Sequence, residues 1–187
     1  MDALPTRDQA LALLNEWIAN PGLRKHCLAV EAAMRAYARS MGGDEERWGL
    51  SGLIHDFDWE RHPDAARHPM EGVAVLRNLG WPDDICRAVL GHASYSGVPR
   101  DTPMARALFA CDELCGFLVA CALVQPEKSL ASVEVASVRK KMKRADFARN
   151  VNRDDIVNGA AELGVELDAH IAFTLEALRA VRTELGL

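Results

Sequence analysis

The stretch that decides the fold is Asp-Glu-Glu-Arg-Trp-Gly-Leu-Ser-Gly-Leu-Ile-His-Asp, residues 44–56. Its first residue, Asp44, has a side chain suited to capping a helix N-terminus. Four apolar residues follow at helical spacing: Trp48, Leu50, Leu53 and Ile54. The stretch therefore predicts a helix with one buried face, which ends on an adjacent histidine and aspartate. Residues 58–69 are polar and contain proline, which indicates a loop.

Helical spacing also extends outward from this stretch in both directions, whereas the alternation typical of strands is not sustained anywhere. The ranges predicted to be helical are 6–20, 23–41, 44–56, 69–79, 82–90, 103–124, 129–143, 153–163 and 166–185. We therefore expect an all-α fold of about eight or nine helices. The length suits one compact domain over residues 1–187, with accessory helices at 129–187. The apolar stripe of the last helix is expected to pack within the chain rather than form a dimer.

Composition narrows the classes of partner and location. The chain has 22 Lys and Arg against 27 Asp and Glu, for a formal charge of −5, which disfavours nucleic acid as a general partner. Residues 1–7 show no secretory pattern, and the five cysteines suit a reducing compartment, so we expect a cytoplasmic protein. The apolar stretch 103–124 holds Arg106, Asp112 and Glu113, which argues against a membrane span. Cys111 and Cys115 in that stretch are expected to pack in the core.

Four of the six histidines stand in a suggestive order with two aspartates. That order is His26, then the His55-Asp56 pair, then His68, His92 and Asp112. Neutral imidazoles and carboxylates suit divalent ions such as Mn²⁺, Fe²⁺, Co²⁺, Ni²⁺, Zn²⁺ or Mg²⁺. His62 and His170 lack partners in any such pattern, and we expect them to be ordinary structural residues.

The order resembles that of the HD superfamily of metal-dependent phosphohydrolases, which has a histidine, an adjacent His-Asp pair and a distant aspartate on packed helices. The flanks His-Pro-Met-Glu-Gly-Val-Ala-Val-Leu at 68–76, Ala-Val-Leu-Gly-His at 88–92 and Ala-Leu-Phe-Ala-Cys-Asp-Glu-Leu at 107–114 look like the HDIG-type subgroup. The resemblance covers roughly residues 23–118, and the motif-bearing core is predicted to span residues 23–124.

The resemblance implies one or two divalent ions. His26, His55, Asp56 and Asp112 would hold one ion, while His68 and His92 would hold a second that Asp56 bridges to the first. It also implies hydrolysis of a small phosphate ester or nucleotide by metal-activated water. Asp56 and Asp58 are the candidate catalytic residues. Asp58, Glu60 and Glu113 are acids that could orient a ligand histidine or relay a proton, and each has the alternative of a solvated or capping carboxylate.

Two departures from the family pattern limit what the resemblance implies. Phe57, Asp58 and Trp59 stand where the motif has Ile-Gly-Lys, so the lysine that some relatives place against substrate phosphate is missing. Arg61 is a possible substitute. The stretch Ala-Ser-Tyr-Ser-Gly-Val-Pro at 93–99 lacks the second histidine and the Gly-Tyr-Pro signature of cyclic di-GMP phosphodiesterases, which argues against that activity.

The basic stretch Arg-Lys-Lys-Met-Lys-Arg at 139–144 stands out in an acidic chain. If its helix folded over the metal pocket, Lys140 and Lys141 would bind a substrate phosphate. The alternatives are a solvated helix face, which such charge runs usually form, and a nucleic-acid patch, for which only Phe147 offers an aromatic ring.

Three functional classes remain open at this point. The first is the phosphohydrolase, and the second is a di-iron oxygenase, since some HD-fold enzymes with the same six ligands use a mixed-valent iron pair and O₂. The third is a noncatalytic metal- or nucleotide-binding regulator. The sequence leaves the substrate, the identity of the metal and the oligomeric state open.

Overall fold

The computed structural model describes residues 4–187, which contain ten α-helices, two short 3₁₀ helices and no strand. The α-helices are α1 (Arg7–Trp17), α2 (Pro21–Met41), α3 (Glu45–Ile54), α4 (Met70–Asn78), α5 (Asp83–His92), α6 (Pro103–Leu123), α7 (Val135–Met142), α8 (Arg153–Leu163), α9 (Leu167–Ala180) and α10 (Arg182–Leu185). The 3₁₀ helices are Ser94–Ser96 and Leu130–Ser132. The all-α prediction is confirmed, while residues 1–3 of the predicted domain lie outside the described residues.

Side-chain caps fix where the helices begin. Thr6 and Gln9 form the capping box that their spacing predicts at the start of α1. The Asp44 carboxylate accepts a hydrogen bond from the backbone N–H of Arg47 and so caps α3. The Asn152 side chain accepts from two backbone N–H groups of the first turn of α8. These local bonds satisfy N–H groups that a helix leaves without partners, which explains why the sequence signals the boundaries so well.

The centre of the molecule is the long pair α2 and α6, against which α3 and α5 also pack. Helix α3 approaches α2 closely at Gly52, where an added Cβ would lie 2.9 Å from the carbonyl oxygen of Val30. Only a glycine allows that approach without displacing backbone. The close contact matters for function, because α3 leads directly into the His55-Asp56 pair and so aims it toward α2.

Helix α6 is the most apolar element, and it is buried against its neighbours on nearly all sides. Cys111 and Cys115 are fully buried there, as predicted, and burial raises the pKa of both thiols above the ordinary range. Among residues 4–187, no helix combines the length and the apolar character needed to cross a bilayer.

The C-terminal helices pack back onto the central pair. Helix α9 lies against α2 and α6 and buries Ile171, Leu175 and Leu178, which confirms that its apolar stripe packs within the chain. Helix α8 lies against α6, where Gly159 permits a close approach: an added Cβ would lie 2.6 Å from the Cα of Ala110.

Two predicted helices are interrupted. The range 129–143 divides into the 3₁₀ helix Leu130–Ser132 and α7, because Val133 is extended and fully buried. The Arg179 guanidinium of α9 donates to the carbonyl oxygens of Leu130 and Val133 and so stabilises the break. The range 166–185 divides at Val181, and the bend brings Leu185 into the core. Both interruptions depend on contacts between distant segments, which helical periodicity does not register.

Candidate metal centre

Five segments of the chain bring the six predicted ligands together. His26 lies on α2, and Asp112 lies on α6. His55 follows the last residue of α3, and Asp56 comes directly after it. His68 lies in the loop before α4, whereas His92 is the last residue of α5. The six side chains form two groups that share Asp56.

The first group contains His26, His55, Asp56 and Asp112. The Nε2 atom of His26 lies 2.9 Å from Asp112 Oδ1 and 3.2 Å from His55 Nε2. Asp56 enters the group through Oδ2, which lies 3.5 Å from His55 Nε2 and 3.7 Å from His26 Nε2. Two ligand atoms that each lie about 2.1 Å from one ion are about 3.0 to 3.4 Å apart in ordinary coordination geometries. The observed spacings lie within about 0.3 Å of this range, which is close enough for the four side chains to hold a single ion.

The second group contains Asp56, His68 and His92. Here Asp56 participates through its other oxygen, Oδ1, which lies 3.3 Å from His68 Nε2 and 3.4 Å from His92 Nε2. The two imidazole Nε2 atoms are 3.2 Å apart. One carboxylate thus presents one oxygen to each group, which is the arrangement expected of a ligand that bridges two ions.

The hydrogen bonds on the far side of the rings fix which nitrogens face the centre. His55 Nδ1 donates to the carbonyl oxygen of Gly52 at 2.8 Å, and His92 Nδ1 donates to the carbonyl oxygen of Val89. His68 Nδ1 donates to the Asp58 carboxylate at 2.8 Å. In a neutral imidazole the other nitrogen, Nε2, then carries a lone pair. Two such lone pairs 3.2 Å apart repel each other unless a cation lies between them, so the residues fit a metal ion.

The electrostatics of the cluster agree with this assignment. Burial by itself would raise the pKa of Asp56 and of Asp112, but the neighbouring histidines outweigh it and hold both values well below the usual range. Burial likewise acts to lower the pKa of His55, and the two carboxylates outweigh it and raise that pKa. The cluster therefore holds two carboxylates ionised in the interior and attracts positive charge, whether protons or metal ions.

The cluster opens on a cavity of about 600 Å³. All of the ligands except the fully buried His55 line it. Three aromatic side chains also line it: Trp59, Tyr95 and Phe109. A polar end is formed by Glu113, Asn150, Asn152 and Asp155. The volume is ample for a small organic ligand placed against the cluster.

The sequence of the chain is similar to one known protein family. The sequence matches the family described as HD domain over residues 23–116, half of the chain. The chain belongs to the HD domain family. Neither the curated proteins nor the solved structures contain a match to it. The family is one of metal-dependent hydrolases, and the His and Asp cluster of this HD domain is placed to hold a divalent metal.

Asp58 departs from the HD pattern, and the structure gives it a clear environment. Its side chain is fully buried, with Oδ1 accepting from His68 Nδ1 at 2.8 Å and Oδ2 accepting from the backbone N–H of Gly72 at 3.0 Å. An added Cβ at Gly72 would lie 2.5 Å from Asp58 Cγ, so the glycine makes room for the carboxylate. Asp58 is thus not solvated, and through the Gly72 N–H it caps the first turn of α4. It holds the His68 ring, as a carboxylate behind a metal ligand does.

The other two acids occupy different places. The Glu60 carboxylate accepts from the backbone N–H groups of Ala19 and Asn20, before α2, and makes no contact with the ligand cluster. Glu113 lines the cavity, and its Oε2 accepts from the backbone N–H of Asn152 at 3.1 Å. Burial, with a further contribution from Asp112, raises the pKa of Glu113 to about 7.

The predicted phosphate-binding cations do not reach the cavity of this HD domain. Lys140 and Lys141 lie on α7, which packs against α9 and α6, and neither lines the cavity. Lys141 lies near Cys121, about 13 Å along α6 from Asp112 at 1.5 Å per residue. Arg61 also turns away: it donates to the carbonyl oxygen of Glu16 and stacks on the Trp17 ring at 3.9 Å.

The two histidines outside the pattern have structural environments, as expected. His170 is fully buried, with Nε2 donating to the carbonyl oxygen of Ala110 at 2.8 Å and Nδ1 accepting from the Tyr37 hydroxyl at 2.6 Å. His62 packs near the Trp17 ring. Neither belongs to the ligand cluster.

Part of the cavity lining comes from residues outside the predicted ligand set. Trp59, which follows the His55-Asp56 pair by three residues, lines the cavity and contacts the His68 ring edge-on with centroids 4.8 Å apart. Tyr95, Asn150, Asn152 and Asp155 were not predicted. Asn150 and Asn152 follow the basic stretch without any motif, and Asp155 reads as a first-turn acid of α8. No local signal identifies Asn150, Asn152 and Asp155, because the packing of α8 on α6 brings them to the site.

Proposed function

We propose that this HD domain is a metal-dependent phosphohydrolase that acts on a small phosphate ester or nucleotide. The observation that supports it most is Asp56, whose two oxygens face two separate groups of ligands 3.3 to 3.7 Å away. A bridging carboxylate of this kind suits a pair of ions. When bound, such a pair lowers the pKa of a shared water and neutralises charge on a phosphoryl group.

The residues of the chain have separable tasks in this proposal. His26, His55 and Asp112 would hold one ion, and His68 and His92 would hold the other, with Asp56 bridging. Asp58 keeps the His68 ring in the tautomer that leaves Nε2 free to bind. Trp59 covers the edge of the His68 ring and limits the access of bulk water from that side.

The first test is metal analysis of protein purified without chelator, combined with phosphate release from a panel of phosphate esters and nucleotides. We expect one to two equivalents of transition metal and phosphate release that does not depend on oxygen. Absence of bound metal after reconstitution with Mn²⁺, Co²⁺, Fe²⁺ or Zn²⁺ would exclude the proposal.

A pair of variants tests the bridging role. Asp56→Ala removes a ligand from both groups, so we expect it to lose both ions and all turnover. His92→Ala removes a ligand from the second group only, and it should retain one ion. Bound metal is measured by mass spectrometry after dialysis, and circular dichroism checks that helical content is unchanged. Equal metal content in the two variants would contradict the shared-ligand arrangement.

A second candidate is an iron-dependent oxygenase, favoured by the complete set of four histidines and two aspartates around a shared carboxylate. Imidazole and carboxylate ligands suit iron as well as other divalent ions. Iron near two equivalents, a product that requires O₂ and no anaerobic phosphate release would favour this candidate over the hydrolase.

A further inference from the structure

The charge of the cavity lining is unusual for a site that receives phosphate. Among residues 4–187, no lysine or arginine lines the cavity. Two guanidinium groups beside the lining are used within the protein. Arg100 lies over the Phe109 ring, 3.7 Å from its centre, and donates to Glu162 and to the carbonyl oxygen of Gly91. Arg153 donates to the carbonyl oxygens of Ala148, Val151 and Phe147. The positive charge that lines the cavity would therefore come from the metal ions.

The formal charges of the centre set a limit on the anion that it can balance. Two divalent ions carry four positive charges, and the carboxylates of Asp56 and Asp112 cancel two of them. The buried Asp58 carboxylate behind His68 reduces the remainder further. The remainder is therefore at most enough to balance one phosphate monoester dianion. A second or third phosphate would meet no cation in the lining and would approach Glu113 and Asp155, which costs free energy in a site of low dielectric.

Two acids in the lining, Glu113 and Asp155, are linked through Asn152 and can accept hydrogen bonds from a ligand. Glu113 directly follows the ligand Asp112, and its Oε2 accepts from the backbone N–H of Asn152 at 3.1 Å. The Asn152 amide in turn donates to Asp155 Oδ2 at 2.7 Å. Each carboxyl thus uses one oxygen within the protein, and the other oxygen has no hydrogen-bond partner among residues 4–187. These oxygens are available to a ligand that donates.

Two aromatic rings border the same cavity without being needed in the core. The exposed fraction is 39% for Trp59 and 52% for Tyr95. An aromatic ring that lines an acidic cavity can bind an organic cation on its face, because the ring quadrupole and the carboxylates act in the same direction. The lining rings are therefore compatible with the ligand chemistry that the acids indicate.

We propose that the substrate is a phosphate monoester whose alcohol portion carries an ammonium group, recognised by Glu113 and Asp155 while the single phosphate lies at the metal centre. The proposal rests on the phosphohydrolase function proposed above. It excludes nucleoside diphosphates and triphosphates as preferred substrates, and it assigns specificity to two residues outside the ligand set.

Three esters of similar size test the proposal: 2-aminoethyl phosphate, propyl phosphate and carboxymethyl phosphate, which present a cation, a methyl group and an anion at the same distance from phosphorus. We expect kcat/KM to fall in that order, by about tenfold at each step, the change that accompanies loss of a charge-assisted hydrogen bond and then repulsion. Equal values or the reverse order would overturn the proposal.

Matched variants locate the effect. The double variant Glu113→Gln with Asp155→Asn keeps one carbonyl oxygen at each position but removes both charges. In this variant the kcat/KM for the amino ester, divided by that for the carboxymethyl ester, should fall from about a hundredfold to a few-fold. The control is Asp154→Asn, an exposed acid one residue away that does not line the cavity, and its ratio should match that of the unmodified protein. An unchanged ratio in the double variant would overturn the assignment.

Calorimetric binding of the three esters to the metal-loaded protein separates this proposal from the one on which it rests. If no ester is hydrolysed with any ion, the phosphohydrolase function fails, and the intact esters serve as ligands. Affinities in the order amino, propyl, carboxymethyl would still support recognition of a cation by this cavity. Equal or reversed affinities would overturn it whether or not turnover occurs.

Discussion

Replacing Asp58 by asparagine should weaken the binding of one metal ion and leave the binding of the other unchanged. The Asp58 carboxylate accepts two hydrogen bonds, from His68 Nδ1 at 2.8 Å and from the Gly72 N–H at 3.0 Å. An asparagine has only one acceptor oxygen, so its amide N–H₂ must face one of these two donors. If it faces His68, the ring either loses the bond or moves its proton to Nε2, the atom that would bind metal.

The magnitude follows from the position of this bond behind the ligand. Loss of such an orienting partner costs about 10- to 100-fold in metal affinity, or about 1.4 to 2.7 kcal/mol. His68 belongs to the second group only, so the ion held with His92 should weaken by that amount. The ion held by His26, His55 and Asp112 should keep its affinity.

Metal-buffered titration followed by calorimetry measures the two affinities separately. The control is Glu60→Gln, which makes the same carboxyl-to-amide change two residues away, at an exposed side chain that accepts from the backbone N–H groups of Ala19 and Asn20 rather than from the cluster. We expect this control to bind both ions normally. Equal weakening of both ions in Asp58→Asn, or no weakening of either, would refute the reasoning.

A second variant, Gly72→Ala, displaces the Asp58 carboxylate by steric contact. In Gly72→Ala the new Cβ would lie 2.5 Å from Asp58 Cγ and 2.7 Å from Oδ2, so the carboxylate must move. We expect the same selective loss of the second ion. Overpacking at a fully buried site should also lower the free energy of unfolding by about 1 to 3 kcal/mol, measured by denaturant titration. Normal binding of the second ion would show that the position of Asp58 does not matter.

Two further predictions concern the scaffold. Gly159→Ala should lower the free energy of unfolding by about 1 to 3 kcal/mol, because its Cβ would lie 2.6 Å from the Cα of Ala110; Asn158→Ala, an exposed neighbour, is the control in the same thermal melt. Burial lowers the pKa of His170 in the folded protein below the value of about 6.5 that a histidine has in the unfolded chain. The neutral imidazole therefore stabilises the fold at pH values above about 6.5, and this contribution is lost as the pH falls. His170→Gln should therefore show a weaker loss of stability than the unmodified protein between about pH 6.5 and 5; parallel pH profiles would contradict this.

The sequence predicts much of the secondary structure because the signals are local. The capping box at Thr6 and Gln9 and the cap at Asp44 satisfy backbone N–H groups within a single turn, and both are present in the structure. The apolar stripe of α9 follows the helical period and is buried as that period predicts. The predictions were wrong where a helix is interrupted, at residues 133 and 181, since distant contacts decide those positions.

The six candidate ligands could be named from the sequence because metal binding restricts residue types so strongly. Only a few side chains bind divalent ions, and their order along this chain matches the HD pattern. The role of Asp58 could be predicted only in part. The sequence shows that Asp58 lies close to the His-Asp pair. Its hydrogen bonds to His68 and Gly72 depend on the conformation of the loop between Asp58 and α4.

Periodicity, caps and the order of ligand residues are local features of the chain. For that reason the helical class, the family and the residue types of the candidate metal centre could be predicted without a structure. What surrounds the centre depends on how the helices pack. This packing places Lys140 and Lys141 away from the cavity and brings Glu113 together with Asp155. The packing of α7 and α8 onto α6 depends on interhelical contacts such as that of Gly159 with Ala110. The order of charged residues along the chain does not show which helix face these contacts turn toward the site.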